Sequence, residues 1–95
     1  MIGRELSHAF DNQGSQYSAA GKREQWFTNS SKSFFERKSK CFVKQYNGYK
    51  ASESGLPVNG ELTLGENIAD NGGVAVSFDA YSEWAKANNA PKVSF

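Results

Sequence analysis

Residues 58–73 read Val58-Asn59-Gly60-Glu61-Leu62-Thr63-Leu64-Gly65-Glu66-Asn67-Ile68-Ala69-Asp70-Asn71-Gly72-Gly73, and the fold turns on how this run divides. Pro57 and the Asn59-Gly60 pair predict a tight turn, since Asn and Gly tolerate the backbone angles such turns demand. Residues 61–64 then read as a short strand. From about residue 66 to about residue 87, Ile68, Ala75, Val76, Ala80, Tyr81 and Trp84 recur close to helical phase, and Asn88, Asn89 and Pro91 stop the helix. Gly72 and Gly73 lie inside it. Each costs about 1 kcal/mol relative to alanine, so the pair predicts a place where another stretch of backbone comes close.

Upstream of this run, Thr28, Asn29 or Ser30 can cap a second helix whose Phe34, Phe35, Cys41, Phe42 and Tyr46 fall near one face and which ends at Gly48. Residues 11–21, rich in Asp, Asn, Gln, Gly and Ser, read as loop or hairpin. Residues 1–10 place Ile2, Leu6, Ala9 and Phe10 at helical spacing. The expected fold class is therefore mainly α: about three helices with a short strand or hairpin. Ninety-five residues allow one domain, and 38% hydrophobic content makes its core lean. A formal charge of +1 implies no field that would gather nucleic acid or an anionic membrane. No apolar run is long enough to span a bilayer, and no basic-then-apolar signal pattern is present. The single cysteine, Cys41, excludes an internal disulfide and any cysteine-rich zinc module.

Two groups of residues carry chemistry. Arg4-Glu5-Leu6-Ser7-His8 has the outline of H-E-x-x-H with arginine in the first position. In the intact motif two imidazoles one turn apart hold zinc, and the glutamate takes a proton from the metal-bound water. Glu66 and Asp70, at i and i+4, present two carboxylates on one helical face. Their repulsion predicts a positive group opposite them, either a zinc ion or Arg4.

These runs, together with Ile2-Gly3 ahead of Arg4, Ala9-Phe10-Asp11 after His8, and Cys41-Phe42-Val43 followed by Gln45-Tyr46, resemble the neprilysin and endothelin-converting-enzyme family of zinc metalloendopeptidases. The resemblance implies that residues 1–95 are a partial, C-terminal piece of a neprilysin-like catalytic domain, the zinc-site core of a gluzincin-type fold. It implies zinc as cofactor, peptides as substrates, and attack of a metal-activated water on a peptide carbonyl. It makes His8 and Glu66 metal ligands and Glu5 the catalytic base. Asp11 and Asp70 become the carboxylates that fix ligand imidazoles through their other ring N–H, with Asp70 serving the histidine that arginine replaces. An extracellular or membrane-anchored ectodomain is implied as the setting.

Arg4 departs from that pattern. A guanidinium has no lone pair and stays protonated, so it cannot ligate zinc, and only two protein ligands remain where catalytic zinc has three. The sequence predicts that Arg4 pairs with Asp70, with Glu66 as a second candidate, and that hydrolysis is weak or absent. The family's substrate-holding asparagine-alanine pair and its oxyanion histidine are also not in this segment. The alternatives are a non-catalytic pseudopeptidase that binds peptides or partners, or a truncated gene product without independent role.

The remaining features have plainer readings. Cys41 is a family disulfide cysteine whose partner lies elsewhere, or a small buried apolar residue with a free thiol. Asn29-Ser30-Ser31 matches the N-glycosylation pattern. Arg37, Lys38, Lys40 and Lys44 are expected on the solvated side of the second helix. Trp26, Phe34, Phe35, Tyr46 and Tyr49 are expected in the core; left uncovered, they would drive association.

Overall fold

A computed structural model describes residues 1–92, so the last three residues of the expected domain range lie outside it. Among the described residues three α-helices carry the fold, as expected: α1 (Ile2–Ser7), α2 (Asn29–Asn47) and α3 (Leu64–Ala87). α1 runs directly into a 3-10 turn at His8–Phe10, and a second such turn follows at Gly14–Gln16. Thr28 caps α2, its hydroxyl accepting from the Ser31 amide at 3.1 Å, which satisfies one of the free donors of the first turn.

The expected strand at 61–64 is not formed. Asn59 turns the chain instead: its side chain accepts from the Leu62 amide at 3.1 Å and its carbonyl from the Thr63 amide at 3.1 Å. This local bonding outcompetes an extended ladder. α3 consequently starts at Leu64, two residues earlier than the sequence suggests. Among the described residues β pairing is limited to two isolated antiparallel bridges, Tyr17 with Arg23 and Lys50 with Pro57. The first closes a reversal that contains Gly21 at φ 76°, so the hairpin reading of 11–21 is partly realised.

α1 lies along the first half of α3, and the sequence explains how closely. A Cβ built on Gly73 would sit 2.8 Å from the Arg4 amide nitrogen and 3.0 Å from its Cα, and one on Gly3 would sit 3.2 Å from the Gly73 Cα. Gly73 is thus where two backbones meet, while Gly72 faces the Ser7 side chain. Ala69, fully buried, and Ser7, whose hydroxyl donates to the Gly3 carbonyl at 2.7 Å, fill the rest of this seam of small residues. α2 is tied more sparsely, through Asn71 donating to the Tyr46 hydroxyl at 3.0 Å and the Gly60 amide donating to Asn47 at 2.7 Å.

The apolar faces expected to form a core do not form one. Only Leu64 and Ala69 are buried apolar residues among those described. Ile2, Leu6 and Phe10 of the first helical stretch are exposed, as are Trp26, Phe34 and Tyr49, and as are Val76, Tyr81 and Trp84 of α3; Phe35 and Tyr46 are half-buried. The radius of gyration is 16.7 Å, against about 12 Å for a chain of this length packed around its own core. Cys41 is exposed with a free thiol, which overturns its reading as a buried apolar residue. Arg37, Lys38, Lys40 and Lys44 of α2 are exposed as expected.

Candidate functional site

The seam between α1 and α3 gathers the charged residues singled out from sequence. Because Arg4 follows Gly3 at the point of closest approach, its side chain emerges directly against α3. There Glu66 and Asp70, one turn apart, face it. The guanidinium donates from Nε to Asp70 Oδ1 at 2.7 Å, forms an ion pair through a terminal nitrogen with Glu66 Oε2, and donates from the other terminal nitrogen to Glu5 Oε1 at 2.7 Å. Three carboxylates thus share one cation, which answers the repulsion expected between Glu66 and Asp70. The Asp70 and Glu5 bonds raise the arginine above its already high ordinary pKa against the opposing effect of burial. Arg4 is about one third exposed and its partners more so, so the cluster is open to solvent and to salt.

His8 lies one turn beyond Arg4, at the start of the 3-10 turn. Its Nδ1 is 2.8 Å from Asp11 Oδ2, and its Nε2 is 3.7 Å from Glu66 Oε2. Asp11 is buried, and its other oxygen accepts from the Gln13 and Gly14 amides at 2.9 and 2.7 Å. Burial pushes the Asp11 carboxyl up, but the His8 ring and the two amides together outweigh it and hold the group below the usual aspartate value. An ionised carboxylate only accepts, so the Nδ1 proton belongs to the imidazole and Nε2 is the nitrogen presented to Glu66.

Arg4, Glu5, His8, Asp11, Glu66 and Asp70 are therefore all brought into one cluster. The sequence reading missed the supports: Ser7, which bridges to Gly3 and lies against Gly72, and the Gln13 and Gly14 amides that fix Asp11. The Asp-x-Gln-Gly spacing after Asp11 carried that signal, since Asp commonly accepts from amides two and three residues on. Asn29 is exposed at the first position of α2, its side-chain oxygen accepting from Gln25 at 2.8 Å.

The donor set does not fit a catalytic zinc. Among the described residues no three His, Cys, Asp or Glu side chains are grouped so as to hold a metal ion. The two ligand candidates that face each other, His8 and Glu66, share their site with a guanidinium already bonded to Glu66. A separate cavity of about 620 Å³, lined by Trp26, Phe27, Phe35, Val43 and Leu64 among others, involves none of the clustered residues. No helix among the described residues is long and apolar enough to cross a membrane.

Comparison with known proteins gives a consistent picture. The family model for peptidase family M13 matches residues 1–95. Endothelin-converting enzyme 1 of Rattus norvegicus is 48% identical over 93 residues, which is 98% of this chain and 12% of that enzyme. Neprilysin-21 of Caenorhabditis elegans is 48% identical over 84 residues, 88% of this chain and 11% of its own length. Among solved structures, a zinc metalloprotease of Mycobacterium tuberculosis in complex with an inhibitor superposes with a TM-score of 0.87 at 33% identity, over 98% of this chain and 15% of that one. PepO from Lactobacillus rhamnosis gives 0.77 at 40% identity over 81% of this chain and 12% of its own. The chain thus spans only about one eighth of the length of the curated relatives it matches.

Proposed function

The chain belongs to peptidase family M13, and from that premise we propose that it is the metal-site segment of a neprilysin-like endopeptidase domain that does not hydrolyse peptides as it stands. The observation that carries this reading is the Arg4 guanidinium bonded at once to Asp70, Glu66 and Glu5. Glu66 is the ligand that residue 4 would share a metal with. Here its negative charge is met by a guanidinium that cannot be deprotonated. Glu5, the base of the motif, is bonded to the same cation through Oε1.

Zinc and peptide substrates belong to this reading through the family, and an extracellular or membrane-anchored ectodomain is its setting, where the exposed Asn29 is available to a glycan. The test is zinc content by elemental analysis after refolding with excess zinc, alongside cleavage of a peptide library with and without chelator. The expected result is far less than one zinc per chain and no chelator-sensitive cleavage. Stoichiometric zinc with chelator-sensitive cleavage would overturn the proposal.

A further inference from the structure

α1 is six residues long, contains no buried residue, and leaves Ile2 and Leu6 exposed. A helix that short has no stability of its own, and it gains little here from apolar burial. Two things hold it against α3: the fit of Gly3 and Ser7 to Gly72 and Gly73, and the bonds of Arg4 to Glu66 and Asp70. The first provides a surface on which the helices can meet. The second supplies attraction, because without a cation Glu66, Asp70 and Glu5 would repel one another across the contact.

We propose that the Arg4 guanidinium takes over the structural role of a divalent cation, clamping α1 to α3 through Glu66 and Asp70. Docking of the two helices is then independent of metal, and residue 4 alone decides which kind of cation the seam accepts. The proposal rests on the reading of this chain as a metal-site segment.

The remaining frame is kept in order without any ion. Asp11, itself anchored by two backbone amides, points the His8 ring so that Nε2 faces Glu66 Oε2 across 3.7 Å. With histidine in place of Arg4, the 3.7 Å between His8 Nε2 and Glu66 Oε2 would need only a small side-chain adjustment for both to reach one zinc ion. Asp70 Oδ1 accepts an N–H from residue 4, which is what a carboxylate supporting a ligand imidazole does. Arginine therefore stands at one ligand position, and its charge is met there by Glu5, Glu66 and Asp70.

The experiment compares the 95-residue parent with R4H, R4K and R4A. It measures zinc binding by titration calorimetry, urea midpoints by far-UV circular dichroism with zinc or chelator, and imidazole resonances by NMR; the parent has a single histidine, so His8 is unambiguous. For the parent, chelator leaves the midpoint unchanged and zinc leaves the His8 ring resonances in place. R4A lowers the midpoint and zinc does not restore it. R4H lowers the midpoint without metal, recovers it at one equivalent of zinc, and binds zinc at least about 100-fold more tightly than the parent. R4K falls between parent and R4A, because an ammonium brings charge without the planar fork; it supplies the comparison should R4A not fold. An R4A or R4K midpoint equal to that of the parent would overturn the clamp, since shape alone would then hold the seam. An R4H variant with the parent's zinc affinity would overturn the retained frame. Zinc bound by the parent through His8 is a different failure, and it falls on the functional reading above.

Discussion

Residues 64–73 and residues 74–87 belong to one unbroken helix, yet they live in different surroundings. The first stretch holds every buried residue of α3, namely Leu64, Asn67, Ala69 and Gly73, and lies in backbone contact with α1. The second exposes Val74 at 71%, Phe78 at 67% and Trp84 at 57%. The more polar, glycine-bearing half is the packed one and the more apolar half is bare. Helical periodicity tells which residues share a face, but burial needs a second surface. For the first half that surface is supplied by residues 2–12 of the same chain, with Tyr46 of α2 reaching Asn71. For the second half none of the described residues supplies it, in a chain that covers about an eighth of the length of its relatives.

The largest expected effect is at the backbone contact itself. Gly73→Val places side-chain atoms where the Arg4 backbone already lies, and neither helix can yield without separating. Overpacking of this kind costs about 1–3 kcal/mol, and the upper end is expected here by urea unfolding, with a shift of the His8 resonances as the cluster opens. Gly72→Ala is the gentler control. Its Cβ would fall 2.6 Å from the Ser7 hydroxyl, the end of a short side chain that can rotate at the loss of its bond to Gly3. Equal losses for the two would show that backbone approach is not what sets the seam.

Next comes the anchor of His8. Asp11→Ala leaves the Gln13 and Gly14 amides without their acceptor and frees the imidazole, at a cost of about 1–3 kcal/mol. The same residue gives a pH dependence of defined sign. Its folded pKa is depressed, so its contribution is complete above the ordinary aspartate value of about 3.9 and is lost as pH falls through the lower folded value. Asp11→Ala should therefore flatten the acid limb of a midpoint-against-pH curve. A variant curve parallel to that of the parent would break the assignment.

Particular residues also show how far the sequence could be read. The Gly72-Gly73 pair announced a close approach because mid-helix glycine has a cost that only contact offsets, and the contact is there. Charge alone called for a cation opposite Asp70 and Glu66 and left zinc and Arg4 open; the arginine standing at a ligand position of the family pattern singled out Arg4, which the structure places there. Residues 61–64 do not form the expected strand because Asn59 bonds forward to two amides, a local competition that alternation of side chains does not register. The expected core is absent among the described residues for a physical reason too. Val76, Tyr81 and Trp84 are apolar and in phase, but phase says nothing about whether a partner surface is present.

A smaller effect is expected at α2, remote from the seam. Thr28→Ala removes the side-chain acceptor of the Ser31 amide and should cost about 1 kcal/mol. Because α2 reaches α3 mainly through Tyr46 and Asn71, the His8 resonances should stay where they are. Movement of those resonances would mean that the capped helix and the charged cluster form one cooperative unit, and the contrast between packed and bare regions would have to be redrawn.

The smallest effect is expected on the bare half of α3. The Trp84 ring is more than half exposed and has a tilted contact with Tyr81 at 6.1 Å between centroids. Trp84→Ala removes little packing, and surface substitutions of this kind stay within about 0.5 kcal/mol. A buried tryptophan replaced by alanine costs about 3–5 kcal/mol, so the two situations are well separated by a urea midpoint. A loss of the larger size would mean that residues 74–87 find a covering surface in solution, and its dependence on protein concentration would say whether that surface is a second copy of the chain. The apolar half of the helix would then be packed after all, with its partner supplied from outside the fold.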